Sequence, residues 1–198
     1  MWREARDADW LRKNLNPAML WRAPDPVPVP RPRSILIVNG HPDPRPERFC
    51  AALSAAYLDA AEMAGLNVQS VALGDTGQEN AAALASHRDH LVLVFPLWLN
   101  RAPSMVDAFL ARTAELEVED GIVRRARSTR VVVTMDMPAF IHRAILRKNS
   151  DTNAEASPIP LAHIDIGEMT LIGSVDTIGA GQREEWLSAM RKFGRRGS

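Results

Sequence analysis

Five short segments with strand patterns constrain the fold of this 198-residue chain more than any other feature. They cover residues 35–38, 67–73, 91–95, 130–135 and 169–175. The segments 35–38 and 91–95 are wholly apolar, which is typical of strands that are buried on both faces of a parallel sheet. Helical patterns or loops separate them along the chain. The alternation predicts one α/β domain built on a doubly wound parallel sheet with right-handed crossovers.

The spacing of apolar side chains predicts helices between the strands. The first runs from about Glu47 to a stop signal at Gly65, and the last covers residues 182–193. Shorter helices are expected at 81–85, after Pro103 and at 139–146, whereas the polar residues 147–166 favour a long loop. We place this domain at residues 34–198.

Residues 1–33 differ in composition from the rest and are assigned to a separate N-terminal arm. Prolines at alternate positions from Pro24 to Pro32 predict an extended, semi-rigid tether. Trp2, Trp10 and Trp21 carry a large apolar area, so we expect the arm to pack on its own domain or on a second subunit. A disordered extension is the alternative.

Composition argues against several classes of protein. Lys plus Arg equals Asp plus Glu, at 24 each, so no overall charge favours nucleic acid or an anionic membrane. Cys50 is the only cysteine, which rules out an internal disulfide. No apolar stretch has membrane-spanning length, and the N-terminal residues lack the pattern of a signal peptide. We therefore expect a cytoplasmic protein without membrane insertion.

Three segments that leave the sheet carry the candidate functional residues. They cover 39–48, 96–103 and 134–143. In the first, Asn39-Gly40 ends the strand, and prolines from Pro42 to Pro46 keep the chain extended before a helix begins. A strand, a loop and a helix N-terminus in this order form the geometry that binds a phosphate group. Because ligands of such sheets bind beyond the carboxyl ends of the strands, the segments predict one shared site.

The same segments resemble a known family. Ile-Leu-Ile-Val-Asn-Gly-His41-Pro, followed by a helix containing Phe49, resembles the first strand and loop of the flavodoxin-like NAD(P)H dehydrogenases (quinone). Phe-Pro96-Leu-Trp-Leu99 resembles the flavin-contacting loop of that family. Thr134-Met-Asp-Met-Pro-Ala-Phe resembles one branch of its predicted NAD(P)H-dependent oxidoreductases. The resemblance covers about residues 34–193, and the motifs occur in the right order and spacing.

The resemblance implies a three-layer flavodoxin-like fold, with a five-stranded parallel sheet in the order 2-1-3-4-5 and helices on both faces. It also implies a homodimer that binds FMN or FAD. Hydride would pass from NAD(P)H to the flavin, and a quinone or a similar acceptor would then take two electrons in a ping-pong mechanism. Such a protein is a flavin reductase of the NAD(P)H dehydrogenase (quinone) type.

Residues of the site are implied by their positions in the motifs. The first loop and helix would hold the flavin phosphate, and the other two segments would contact the ring system. The residues implied for cofactor binding are His41, Arg45, Arg48, Phe49, Pro96, Leu97, Trp98, Leu99, Thr134, Met135, Asp136 and Met137. His142 is the candidate catalytic residue, because a neutral imidazole can donate a hydrogen bond or a proton to a quinone oxygen.

The chain departs from the family pattern at positions that bear on function. Its first loop contains Arg45 and Arg48, whereas the family usually has Ser and Asn there, and Asp136 lies at or near a position where glycine is common. Arginines can supply charge-assisted hydrogen bonds, but the prolines of this loop remove backbone donors. The departures motivate an alternative function, a flavodoxin-like accessory or regulatory protein with weak or no catalysis. A reductase of nitro or azo compounds is a third possibility.

Several candidates also have purely structural interpretations. His41 could brace its loop, Trp98 could belong to the core or to a dimer interface, and Asp136 could be an ordinary turn residue. The spacing His87-x-x-His90 would suit a metal ion, but no supporting ligands accompany it, and no metal is predicted.

Overall fold

A parallel sheet lies at the centre of the protein. The computed structural model describes residues 34–98, 101–119, 128–138 and 168–198, with the backbone alone for 117–119. The strands are β1 Ile35–Asn39, β2 Val68–Ala72, β3 His90–Leu97, β4 Ser128–Met135 and β5 Glu168–Ile172. Within the described ranges these five strands pair in parallel in the order β2-β1-β3-β4-β5, which confirms the predicted sheet.

Helices cover both faces of the sheet. They are α1 Phe49–Met63, α2 Leu73–Thr76, α3 Gln78–Ala85, α4 Ser104–Glu119 and α5 Ala180–Arg196. One hydrophobic cluster, which includes Phe95 and Phe109, packs α3 and α4 against one face. A second cluster, which includes Leu53, Val92 and Met190, packs α1 and α5 against the other. Alternate strand residues enter opposite clusters, and this gives the three layers that were predicted.

Some predictions fall outside the described residues. They concern the arm at 1–33, the helix at 139–146 and the loop at 147–166. Among the helices that the structure describes, none combines the length and the apolar character needed to cross a membrane.

β3 continues past Pro96, although the sequence predicted that this proline ends the strand. The register explains the difference, because β1 ends at Asn39, which lies beside Val94. The backbone polar groups of Val94 point toward β1, since its carbonyl accepts a hydrogen bond of 2.8 Å from the N–H of Gly40. The backbone of residue 96, two positions further along the strand, points to the same side. Because β1 has already ended, it offers no carbonyl beside residue 96, so the missing N–H of Pro96 breaks no hydrogen bond to β1. On its other side β3 pairs with β4 as far as Met135.

β5 is shorter than predicted, since it ends at Ile172 rather than Val175. Ser174 adopts a left-handed conformation, with φ of 57°, which turns the chain out of the extended region. The N–H groups of Ser174 and Val175 donate to the carbonyl oxygens of Met137 and Met135, at 3.2 and 3.1 Å. Backbone hydrogen bonds therefore join the exits of β4 and β5 just beyond the sheet.

A buried cation lies near the amino ends of the strands. Arg130 is 3% exposed, packs over the Phe193 ring at 3.7 Å and forms an ion pair with Glu168. Burial, together with the charge of Arg130, lowers the pKa of His90 to about 4. The Tyr57 hydroxyl, His90 Nε2 and Arg130 Nε are buried without a hydrogen-bond partner among the described residues. This end of the sheet therefore holds a fixed positive charge inside the core.

Gly194 allows α5 to approach α1 closely. A Cβ atom at this position would collide with the carbonyl oxygen of Tyr57 and would lie 3.2 Å from the Cβ of Ala60. The absence of a side chain at this point therefore sets the distance between the two helices.

Gly194→Ala should lower the free energy of unfolding by about 1–3 kcal/mol. The added methyl group meets backbone, and this overpacking outweighs a gain of about 1 kcal/mol in helix propensity. Gly181→Ala is the matched control in the same helix, where a Cβ meets nothing within 4 Å, and it should raise stability by about 0.5–1 kcal/mol. Urea unfolding measures both variants. If Gly194→Ala and Gly181→Ala had the same free energy of unfolding, the result would contradict a close contact at Gly194.

Candidate functional site

A cleft of about 480 Å³ lies beyond the carboxyl ends of β1, β3 and β4. We refer to it as the rim cleft; small-molecule sites typically have about 300–1,000 Å³. The first loop and α1 line one part, the ends of β3 and β4 another, and the segment from β5 to α5 a third. The described lining residues are His41, Pro42, Asp43, Glu47, Arg48, Phe49, Cys50, Pro96, Trp98, Thr134, Asp136, Val175, Asp176 and Arg183.

His41 is held in one orientation by the first loop. Its backbone N–H donates to Oδ1 of Asn39 at 3.0 Å, and its Nδ1 accepts from the N–H of Asp43 at 2.9 Å. A ring nitrogen that accepts carries no proton, so neutral His41 has its proton on Nε2 and can donate from there. Burial lowers the pKa of His41, which favours the neutral form. The ring meets that of Trp98 edge-on, with the centroids 5.6 Å apart.

Asp43 binds both arginines of the first loop. Its Oδ2 accepts from Nη2 of Arg45 and from Nε of Arg48, each at 2.6 Å. Hydrogen bonds from Arg45 and Arg48 hold the pKa of Asp43 far below its usual range, so the carboxylate is ionised at neutral pH. Of the two arginines, Arg48 lines the rim cleft and Arg45 does not.

The N-terminus of α1 reaches the rim cleft without a side-chain cap. Arg48 precedes the helix in an extended conformation, and its own side chain makes no capping hydrogen bond to the first turn. The N–H groups of that turn therefore leave a partial positive charge at the cleft. Arg183 of α5 adds a full charge beside it. Its guanidinium lies 4.9 Å from the centroid of the Phe49 ring and donates to the carbonyl of Val175 at 2.9 Å.

Another part of the lining is largely apolar. Pro96 and Trp98 come from the end of β3, and Trp98 keeps 44% of its surface exposed. Thr134, at the end of β4, is buried, with its Oγ1 3.4 Å from Sγ of Cys50. Burial raises the pKa of Cys50 to about 11, so the thiol stays protonated at neutral pH and is a poor nucleophile. This part of the cleft offers a flat contact surface rather than reactive groups.

Two carboxyl groups meet where the exits of β4 and β5 are joined. Asp136 and Asp176 both line the cleft, and their carboxyl groups lie close enough to interact. Partial burial and the like charge of Asp176 raise the pKa of Asp136 above its usual value.

The structure brings seven of the implied cofactor-binding residues to the rim cleft. They are His41, Arg48, Phe49, Pro96, Trp98, Thr134 and Asp136. Leu97, Met135 and Met137 instead pack in the cluster under α3 and α4. For Leu97 and Met135 the reason is the alternation of side chains along a strand, which sends their neighbours Pro96 and Thr134 to the other face.

The remaining candidates do not line the cleft or lie outside the described residues. Arg45 is exposed and held by Asp43. Leu99 and the candidate catalytic residue His142 fall in the parts of the chain that the structure does not describe.

Sequence reasoning missed several lining residues, above all Val175, Asp176 and Arg183. The first two follow β5, and the rule that ligands lie beyond the carboxyl ends of strands applies to β5 as well. Arg183 reaches the cleft only because α5 packs on α1, which no local pattern reveals. Asp43, Glu47 and Cys50 lie within the first loop and helix, so a complete reading of that segment would have included them.

The histidine pair His87 and His90 shows no metal-binding arrangement. In the described ranges no group of three or more His, Cys, Asp or Glu side chains could hold a metal ion. His90 is buried, and its Nδ1 lies 2.7 Å from Oγ of Ser128.

Comparison with known families gives the same fold. The sequence profile of a family described as having the flavodoxin-like fold matches residues 33–151. The chain belongs to this family. The match includes the loops after β1, β3 and β4, so the resemblance seen in their motifs is confirmed at the level of the family.

Solved structures share the architecture. Smu.1420 from Streptococcus mutans UA159 superposes with a TM-score of 0.57 at 18% identity, over 82% of this chain and 98% of that one. NAD(P)H:quinone oxidoreductase from Methanothermobacter marburgensis gives 0.57 at 14% identity, over 84% and 99%. An FMN-dependent NADH-azoreductase from Bacillus anthracis, in complex with FMN, gives 0.52 at 9% identity, over 83% and 98%. At these identities the likeness establishes the fold alone. No curated protein sequence matches the chain.

Asp176→Asn should lower the pKa of Asp136, because it removes the like charge beside that carboxyl group. A raised folded pKa means that the folded protein binds this proton more tightly than the unfolded chain, so this contribution to stability is lost as pH rises through the folded pKa. In Asp176→Asn the free energy of unfolding should therefore change less with pH in this range. Carbon-13 NMR titration of the carboxyl groups measures the pKa. Glu184→Gln, on the exposed face of α5, is the control, and an unchanged pKa in Asp176→Asn would contradict the coupling.

Proposed function

We propose that this protein binds a flavin, FMN or FAD, in the rim cleft and passes electrons from NAD(P)H to a quinone or a similar small acceptor. The observation that carries the proposal is the uncapped N-terminus of α1, with Arg48 and Arg183 beside it, in a cleft that Pro96 and Trp98 also line. Such a site suits a ligand with an anionic group and a flat ring. Membership of the family supports the proposal, as do the names of the quinone oxidoreductase and the FMN-dependent azoreductase that share the fold.

The phosphate group would bind at the first turn of α1. The N–H groups of Phe49, Cys50 and Ala51 have no helical carbonyl partner and are free to donate to phosphate oxygens. Arg48 and Arg183 would add charge-assisted hydrogen bonds. Arg183 is already fixed by its contacts with Phe49 and Val175, so ordering it on binding costs little entropy.

The ring system would contact Pro96 and Trp98, with Thr134 and Asp136 nearby at the end of β4. His41 supports the Trp98 ring edge-on and presents Nε2–H as a neutral donor. The thiol of Cys50, protonated because it is buried, adds no negative charge to the cleft. These groups therefore combine stacking surface with a small number of fixed donors.

Bound flavin would supply the redox chemistry, accepting hydride from NAD(P)H and passing two electrons to the acceptor in a separate half-reaction. The chain itself would orient the flavin, shield it from water and present donors. We further propose, by extension of the family resemblance, a homodimer in which Leu99 contributes to the cofactor site. On the same basis we propose that His142 donates a hydrogen bond or a proton to the acceptor.

The charge of the lining favours a second candidate. Four carboxyl groups, including those of Asp43 and Asp136, face two guanidinium groups, those of Arg48 and Arg183, among the described lining residues. A net negative lining weakens the attraction for an anion. A flavodoxin-like accessory or regulatory protein, which binds flavin weakly or without turnover, would tolerate such a cleft.

Flavin binding followed by an activity assay tests the proposal. We expect purified protein to quench the fluorescence of FMN or FAD on titration, and the loaded protein to oxidise NADH or NADPH when a quinone is added. Nitro and azo compounds as alternative acceptors identify the class that is reduced fastest. Failure to bind either flavin would refute the proposal. Flavin binding without oxidation of NAD(P)H, whatever the acceptor, would favour the accessory function.

Arg183→Gln should weaken the binding of FMN and FAD by about 10- to 100-fold, since a hydrogen bond to a charged group contributes about 1.5–3 kcal/mol. Riboflavin, which has no phosphate, should bind the variant as it binds the wild type. Arg191→Gln, in the same helix and paired with Glu184, is the matched control. Fluorescence titration gives the three dissociation constants. An equal loss for riboflavin would show that Arg183 acts on the ring or on the fold and not on the phosphate.

A further inference from the structure

The first loop has almost no backbone donors left for a ligand. Pro42, Pro44 and Pro46 carry no N–H group. The loop residues whose N–H groups already donate within the protein are Gly40, His41, Asp43, Arg45 and Arg48. An anion in the rim cleft must therefore depend on the first turn of α1 and on side chains.

Asp43 also occupies the side-chain donors of this loop. Its Oδ1 accepts from Nε of Arg45 at 2.8 Å, and its Oδ2 lies 2.5 Å from Nη2 of Arg48. Both guanidinium groups thus face the same carboxylate. Arg48 is the one that also lines the cleft, and its guanidinium already forms an ion pair with Asp43.

The carboxylate of Asp43 lies close to any anion that Arg48 can bind. Asp43 lines the same cleft, and Arg48 is in direct contact with it. A phosphate that shares the Arg48 guanidinium would lie within one Debye length of the carboxylate, about 8 Å at physiological salt. Repulsion between the two anions is therefore only partly screened, and it grows with the charge on the phosphate.

We propose that Asp43 selects the phosphate charge of the cofactor, disfavouring a dianionic monoester, as in FMN, relative to the singly charged phosphates of a diphosphate, as in FAD. The inference rests on the proposed flavin function and deepens it by naming the cofactor class. A phosphate monoester has a second pKa of about 6, so it carries close to two charges at pH 7.5. Each phosphate of a diphosphate diester carries one.

The expected discrimination follows from Coulomb's law. One pair of unit charges about 4–8 Å apart in water changes an affinity by a factor of about two to five. Removing the charge of Asp43 should therefore strengthen FMN binding about tenfold and FAD binding about threefold. The ratio of the two dissociation constants should move by about threefold in favour of FMN, and riboflavin should not respond.

Fluorescence titration of FMN, FAD and riboflavin against four variants tests this. Asp43→Asn and Asp43→Ser remove the charge with different side chains, so that one remains if the other fails to fold. Asp43→Glu keeps the charge, and Asp59→Asn removes a charge from the exposed side of α1, remote from the loop. We expect wild type, Asp43→Glu and Asp59→Asn to favour FAD over FMN, and Asp43→Asn and Asp43→Ser to shift toward FMN. High salt should reduce the shift.

The outcomes separate this inference from the function on which it rests. If wild type binds neither flavin, the proposed function fails and the inference fails with it. If flavins bind but Asp43→Asn leaves the FMN to FAD ratio unchanged, the inference alone is overturned. Weaker FMN binding by Asp43→Asn would also overturn it, because Asp43 would then serve to orient the arginines for the phosphate. Tighter binding of FMN than of FAD by the wild type would also overturn the inference.

Discussion

Burial of the central strands on both faces is the constraint on which the rest of the structure depends. Residues Ile35 to Val38 of β1 and Val92 to Phe95 of β3 have no exposed surface. Strands of this kind need helices on both faces of the sheet. Each connection therefore leaves the carboxyl end of one strand and returns to the amino end of the next. The carboxyl ends of β1, β3 and β4 consequently open at one edge. The rim cleft is the result of that topology, and its chemistry depends on which side chains occupy the exits.

The first loop has the strand, loop and helix geometry of a phosphate site, but its residues leave few backbone donors for an anion. Its prolines remove N–H groups and its remaining amides bond within the loop, so the region that precedes the helix offers little to an anion. In the proposed site, binding of an anion therefore depends on the first turn of α1 and on Arg183, a residue more than a hundred positions later in the chain. A single carboxylate, that of Asp43, forms ion pairs with both arginines of this loop.

Much of the fold was predictable from the sequence, because it depends on local patterns. Short runs rich in apolar and β-branched residues predicted the strands, and their alternation with helices predicted the layers and the parallel pairing. The predicted ends of β3 and β5 were wrong where local rules met tertiary context. Pro96 stays in its strand because the neighbouring strand has already ended, and Ser174 turns the chain before Val175.

The site was only partly predictable, and the reason is again physical. Residues adjacent in sequence, such as Pro96 and Leu97, point to opposite faces, so a motif read as a block includes side chains that belong to the core. Asp136 and Asp176 meet through hydrogen bonds between two loops, and Arg183 arrives through helix packing. No local sequence pattern indicates that Asp176 approaches Asp136 or that Arg183 reaches the cleft. The position of His142 relative to the cleft stays a prediction.

Helices α1 and α5 run side by side in the same direction. Phe49 meets Arg183 near their first turns, and Tyr57 meets Gly194 two to three turns further along. The close approach at Gly194 sets the spacing of the two helices, and the contact between Arg183 and the Phe49 ring joins their first turns. The first turn of α1 and the guanidinium of Arg183 therefore reach the rim cleft as neighbours before any guest arrives. A guest that needs both groups does not have to bring them together, which lowers the entropy cost of binding.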